Sequence, residues 1–157
     1  MTSTDDEFDP QAMVQLVRQA IPHVKELGAE LVHIERGRAT MRLAYQERLV
    51  GNPETGVVHG GVITTLIDTV CGMSVFTRMA KIGAIATLDL RIDYLKPATP
   101  GKDLLAEAEC YKVTRNVAFV RGIAHHGDPD DPVANCAGTF MVGTPGADMR
   151  SKRGKGR

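Results

Sequence analysis

Met13, Leu16, Val17, Ala20, Val24 and Leu27 recur three and four positions apart, the spacing of one helix face. Asp9 and Pro10 supply an N-cap and a first helical residue, and Gly28 supplies a stop. A helix over 9–27 follows, kinked or split at Pro22. From Ala29 the period falls to two. Leu31, His33 and Glu35 alternate with Val32 and Ile34, Arg36-Gly37 turns the chain, and Ala39, Met41, Leu43 and Tyr45 form one face of a second strand. Residues 46–58, with Gly51-Asn52-Pro53 and Gly56, read as a loop. Over 59–80 the helical period returns. Val62, Ile63, Leu66, Ile67, Val70 and Met73 cover more than the stripe of a surface helix, so this helix should be largely buried, ending at Lys81-Ile82-Gly83. Four strands follow. In the first, Ala86, Leu88, Leu90, Ile92 and Tyr94 alternate with Thr87, Asp89, Arg91 and Asp93. Strands through Leu104–Cys110, Val117–His126 and Val133–Gly143 come after it.

The pattern divides the 157 residues into a polar, acidic disordered tail over 1–8, a single domain over 9–143 and a basic, glycine-rich disordered tail over 144–157. One long apolar helix shielded by an antiparallel sheet is an α+β layer solution. The edges of such a sheet need cover, which dimerisation can supply. Zero formal net charge and 4% aromatic content argue against a nucleic-acid partner, and no apolar run is long enough for a membrane span. Cys71, Cys110 and Cys136 match no metal-ribbon spacing. Their odd number and the lack of a secretory segment point to reduced packing thiols in a cytoplasmic protein. No metal is expected, because the five histidines form no HxxH, HxxxH or HExxH, and His125 and His126 should face opposite ways on a strand. Serine-hydrolase and nucleotide motifs are absent as well: there is no GxSxG, GxGxxG or P-loop.

Chemistry concentrates in His59-Gly60-Gly61-Val-Ile-Thr-Thr-Leu-Ile-Asp68. The glycines enter a buried helix whose first amides lack intrahelical partners, a setting that polarises a carbonyl and stabilises an oxyanion. Two glycines alone are equally explained by packing at a loop-to-helix junction. Asp68 shifts the balance. Its helix carries neither Lys nor Glu between residues 59 and 77, and Gly61, Thr64, Thr65 and Gly72 give its face a small, polar character. A carboxylate there needs donors, which a functional site, the threonines or a subunit contact could provide. Asp68 lies eight residues beyond Gly60, roughly 12 Å along the helix, whereas a base and an oxyanion donor serving one carbonyl must both lie about 3 Å from the reacting atoms. If the two act together, facing helices of a two-fold dimer must bring them together.

The run Asn52…Gly56-Val-Val-His59-Gly60-Gly61…Asp68, followed by Asp93-Tyr94-Leu95-Lys96-Pro97, resembles the PaaI-like hotdog acyl-CoA thioesterases over about residues 29–143. The resemblance implies a hotdog fold, an antiparallel sheet wrapped around one long central helix, here with an extra N-terminal helix. It implies hydrolysis of a small or medium acyl-CoA by a homodimer or a dimer of dimers, with no cofactor beyond the coenzyme A of the substrate. By the same resemblance Asp68 is the catalytic carboxylate, as nucleophile or general base, and Gly60 is the backbone donor to the thioester oxygen. Asn52 orients the thioester or the water, Thr87 assists the attacking water, and His59 stands beside the oxyanion site. Gly61 and Thr65 are candidate substrate contacts. Arg91, Lys96, Lys112 and Arg115 are candidates for the coenzyme A phosphates on charge and position alone, with an ordinary surface cation the plainer reading of each, and Leu66, Ile67, Met73 and Phe76 for the acyl wall, with core packing the plainer reading of each. A hotdog hydratase or dehydratase and a non-catalytic acyl-CoA-binding protein are the competing readings.

Overall fold

The computed structural model describes residues 21–79 and 83–143. The tails expected over 1–8 and 144–157, the N-terminal helix before Ile21, and Ala80, Lys81 and Ile82 at the expected end of the long helix lie outside the described residues.

Pro22 opens a separate helix, α1 (Pro22–Leu27), because Ile21 before it is extended (φ −117°, ψ 90°), as a residue preceding proline tends to be. Gly28 closes α1 at φ 75°, its N–H reaching Val24 and Lys25 carbonyls. Strands β1 (Ala29–Glu35) and β2 (Arg38–Leu43) follow as expected, although Tyr45 falls beyond the strand whose face it was to continue. The segment read as a plain loop, 46–58, holds a 3-10 turn (Glu47–Leu49) and a small hairpin of β3 (Val50–Asn52) and β4 (Val57–Val58). Next come the long helix α2 (Gly60–Phe76), β5 (Ile85–Tyr94), β6 (Leu104–Val113), β7 (Val117–His125) and β8 (Ala134–Val142). Six strands form one antiparallel sheet in the order β1-β2-β6-β7-β8-β5, which leaves β1 and β5 as its edges.

Helix α2 lies on the inner face of this sheet, chiefly against β6, β2 and β7. Ile63, Leu66, Ile67, Val70 and Val75 pack on Met41, Leu43, Leu104, Val120 and Phe140, all buried. Each large side chain buried this way contributes about 1.5–3 kcal/mol. Alanines at 106, 108, 118 and 124 keep the sheet surface shallow beneath the helix. The helix ends four residues sooner than its apolar pattern suggests. Arg78 and Met79 bond back to Val75 and Phe76, three residues away, tightening the last turn, while Thr77 Oγ1 donates to the Ser74 carbonyl and accepts the Gly37 N–H.

The unbroken alternation of β5 conceals an irregularity. Thr87 pairs with Phe140 and Asp89 with Thr139, so Leu88 is an extra, unpaired residue in a β-bulge. In a regular strand Thr87 would share a face with Asp89 and Arg91, as its sequence position suggests. The bulge reverses the parity instead: Ile85 and Thr87 face the helix before it, and Leu90, Ile92 and Tyr94 after it, while Leu88 is half exposed.

Candidate active site

His59 caps α2. Its backbone is extended (φ −61°, ψ 134°) and its Nδ1 accepts the Gly61 N–H at 2.9 Å. An accepting Nδ1 leaves the proton of the neutral ring on Nε2. The glycines on either side make room for the ring. A Cβ on Gly61 would lie 2.9 Å from Nδ1, and one on Gly51 of β3 would lie 2.8 Å from His59 Cα. Of the first-turn amides, Gly61 is taken by the His59 ring and Val62 by the His59 carbonyl. The Gly60 N–H meets no acceptor among the described residues. It is a free donor at the positive end of a seventeen-residue helix.

Two turns on, the Asp68 carboxylate accepts the Thr87 hydroxyl at 3.0 Å. The bulge in β5 is what turns Thr87 toward the helix, so Thr87 reaches Asp68 by a reversal of the face its sequence position suggests. The nearer threonines do not serve Asp68. Thr65 and Thr69 return their hydroxyls to carbonyls four residues earlier, those of Gly61 and Thr65, and the Thr64 hydroxyl lies 2.6 Å from the Tyr94 oxygen and 3.2 Å from the Gly60 carbonyl.

Asp68 and Thr87 are the polar end of a cleft of about 240 Å³ whose other walls are Ile21, Thr69, Gly72, Met73, Phe76, Ile85 and Phe140. Met73 and Phe76 line it as the sequence suggests. Leu66 and Ile67 do not: at 1% and 0% exposure they face the sheet and belong to the core. Gly72 gives the cleft depth, with Ile85 Cδ1 3.4 Å from where its Cβ would stand. Ile21, Thr69, Ile85 and Phe140 are lining residues that sequence reasoning missed. Thr69, four residues from Thr65, had a helical-spacing signal, whereas the strand residues had none. Cys71, one turn beyond Asp68, is buried with its Sγ 3.6 Å from that of Cys136. That contact, and burial after it, push the Cys71 thiol well up, which suits a packing group rather than a nucleophile.

The other sequence candidates lie apart from this pair. Asn52 Oδ1 accepts the Glu54 N–H at 3.0 Å, and its carbonyl accepts the Thr55 and Gly56 amides, so here its side chain shapes the β3–β4 turn. Arg91 pairs with Asp93 at 3.0 Å on the outer side of β5, and Lys96 pairs with Asp131. Arg115 is exposed in the β6–β7 turn. The histidines expected to diverge do so. Buried His125 bonds Glu107 and the Gly127 amide, whereas His126 joins the Asp103 carbonyl to the Thr99 amide. Tyr94, singled out in the sequence only as part of a motif, reaches α2 directly. Its hydroxyl donates to the Gly60 carbonyl at 2.8 Å and lies 2.6 Å from Thr64 Oγ1.

Within one chain, therefore, the free Gly60 amide and the Asp68–Thr87 pair stand about two helical turns apart, and both border the edge strand β5.

Comparison with known proteins agrees with this architecture. Residues 55–133, half of the chain, match the family model of the Thioesterase superfamily. A medium/long-chain acyl-CoA thioesterase, YigI, from Salmonella typhimurium is 29% identical over 136 residues, covering 78% of this chain and 86% of the relative. A crystal structure of a Pseudomonas aeruginosa protein is 45% identical, with a TM-score of 0.75 over 83% of this chain and 96% of that one. The E. coli PaaI protein from the phenylacetic acid degradation operon shares the fold at 18% identity, with a TM-score of 0.73 over 83% and 91% of the two chains. The central helix on its antiparallel sheet and the match over residues 55–133 together place the chain in the thioesterase superfamily, as a PaaI-like hotdog thioester hydrolase.

Proposed function

We propose that this protein hydrolyses acyl-CoA thioesters carrying an apolar acyl group of medium length, and that its active site is completed across a homodimer. The observation that carries the reading is the Asp68 carboxylate, oriented by Thr87 at the mouth of a cleft walled by Ile21, Met73, Phe76, Ile85 and Phe140. The apolar walls suit an aliphatic chain, and YigI, named for medium and long acyl chains, supports that range.

In this mechanism the thioester carbonyl docks on the Gly60 N–H, where the helix dipole and the unshared amide stabilise the oxyanion. Asp68 of the facing protomer either removes a proton from a water that attacks the carbonyl carbon, with the C–S bond breaking and coenzyme A leaving as the thiolate, or attacks that carbon itself, expelling the thiolate and leaving an acyl-aspartyl anhydride that water then opens, with Thr87 fixing the carboxylate. The two-turn separation within one chain supports placing the donor and the carboxylate on different protomers. The position of β5 at the sheet edge supports pairing at that strand. Half-exposed Leu88, Tyr94 and Leu95 along and just beyond this edge supply apolar area for a second copy to cover. Arg91, Lys96 and Arg115 are retained as candidates for the coenzyme A phosphates, each by its positive charge at the surface.

Thiol release from a panel running from acetyl- to palmitoyl-CoA, with phenylacetyl- and 4-hydroxybenzoyl-CoA included, tests the reading. Turnover is expected to peak at medium aliphatic chains and to fall by at least about two orders of magnitude in Asp68→Asn, the scale of a positioned acid–base group. Full activity of the folded variant would remove Asp68 from the chemistry, and a preference for acetyl or aromatic acyl groups would remove the aliphatic assignment.

A further inference from the structure

The amide at a helix N-terminus is only as well aimed as the peptide planes that follow it. The Gly60–Gly61 peptide is gripped at both ends. Its N–H donates to His59 Nδ1 at 2.9 Å, and its carbonyl accepts the Tyr94 hydroxyl at 2.8 Å in addition to its helical bond. Tyr94 comes from another element, 34 residues along the chain, and can reach this site only because the bulge at Leu88 turned the end of β5 inward. The hydrogens can be assigned. Thr64 Oγ1 is 2.6 Å from the Tyr94 oxygen and 3.2 Å from the Gly60 carbonyl. The shorter distance is the better O–H···O bond, so Thr64 donates to Tyr94 and Tyr94 donates to Gly60. Packing within the chain does not account for this tyrosine, because it is 50% exposed there.

We propose that Tyr94 is a positioning residue for the reaction, holding the Gly60–Gly61 peptide so that the neighbouring Gly60 N–H points steadily at the developing oxyanion. This rests on the reading of Gly60 as the oxyanion donor. Tyr94 touches no reacting atom. It acts by limiting rotation about Gly60, a residue without a Cβ to restrict its backbone. A regular strand could not have combined this role with the Thr87–Asp68 bond, since Thr87 and Tyr94 are an odd number of residues apart and would face opposite ways. The bulge lets one edge strand address both the amide and the carboxylate.

The test is Tyr94→Phe, which keeps the ring and deletes the hydroxyl, read by kcat and KM on acyl-CoA and by amide hydrogen exchange over residues 59–64. Tyr111→Phe, at another half-exposed tyrosine on β6, is the control. The expected result for Tyr94→Phe is a fall in kcat of about fivefold to tenfold, the worth of one ordering hydrogen bond, with KM within about twofold. Faster exchange over 59–64 accompanies it, and Tyr111→Phe changes neither. Unchanged kcat overturns the proposal whether or not exchange speeds up, and so does a change confined to KM. If Asp68→Asn is inactive while Tyr94→Phe is not impaired, only the role of Tyr94 fails. If no acyl-CoA is turned over by the wild type, the reading of the site fails, and unchanged exchange over 59–64 would then overturn the gripping of the turn as well.

Discussion

Replacing Gly60 by proline deletes one hydrogen atom of interest and little else. Gly60 is the first residue of α2, the position where proline fits a helix because its missing N–H has no intrahelical role. The residue before it, His59, already has the extended backbone (ψ 134°) that a following proline requires. A Cβ at position 60 would meet the Tyr94 oxygen at 3.4 Å and its Cζ at 3.5 Å, which is close to ordinary contact. No hydrogen bond to a described residue is lost, since the Gly60 N–H has none. The folded state should therefore hold, and the stiffer unfolded chain should favour it by about 0.4–1 kcal/mol. The reaction should suffer. Removing one oxyanion donor costs about 2.7–4 kcal/mol, a loss of roughly 10² to 10³ in kcat. The assay is thiol release at saturating acyl-CoA together with a thermal melt, and Gly60→Ala, which retains the N–H, serves as control. A folded Gly60→Pro protein with kcat within a few-fold of wild type would refute the assignment of this amide. A protein that unfolds would refute the claim that the position tolerates proline.

The glycines of the site and of the sheet should respond differently to alanine. In Gly61→Ala the new Cβ would press on His59 Nδ1 at 2.9 Å, and a side chain can rotate away. The cap worth about 1 kcal/mol is lost and a helix-propensity gain of about 0.8–1.0 kcal/mol offsets it, so the melting temperature should change by only a few degrees while kcat falls. In Gly122→Ala the Cβ would stand 2.6 Å from the Glu107 carbonyl and 3.4 Å from Ala108 Cα, backbone that cannot step aside. A loss of about 1–3 kcal/mol or more is expected, seen as a lower denaturant midpoint. On the acid side, the Arg42 guanidinium and then the Tyr45 N–H hold the Asp103 carboxyl below the usual carboxylate range. A depressed folded-state pKa gives stability that is complete above the ordinary value of about 3.9 and is lost as pH falls through the folded one. Asp103→Asn should therefore flatten the fall in melting temperature below about pH 5, and an unchanged acid limb would contradict this.

Much of the fold was legible because each element carries its own period. The buried helix, Gly28 as a stop, and the strands on either side follow from apolar spacing and turn residues alone. What stayed hidden has a physical cause in each case. The bulge at Leu88 leaves no trace, because Ala86, Leu88, Leu90, Ile92 and Tyr94 alternate as an uninterrupted strand would. On an edge strand an outward Leu88 is compatible with both registers. For that reason Thr87 was assigned the outer face and Tyr94 was read as a motif residue rather than as a ligand of the helix. The early end of α2 depends on Thr77 accepting a hydrogen bond from Gly37, 40 residues away, which no local pattern encodes. The cleft mixes helix and strand residues, so Met73 and Phe76 could be picked from the helix, but Ile85 and Phe140 could not. The inference of two protomers, by contrast, needed only the eight-residue spacing of Gly60 and Asp68 and the premise that they act together, and the fold preserves that spacing on one helix.

Mixed dimers test this demand most directly. Asp68→Ala chains and Gly60→Pro chains are each inactive as homodimers in this account. Refolded together in equal amounts, half of the dimers are mixed, and each mixed dimer has one site with both groups intact and one with neither. The account predicts recovery of about a quarter of wild-type thioesterase activity per protomer, from half of the dimers working at half of their sites. No recovery, with mixed dimers confirmed by differential tags, would contradict a site shared between protomers.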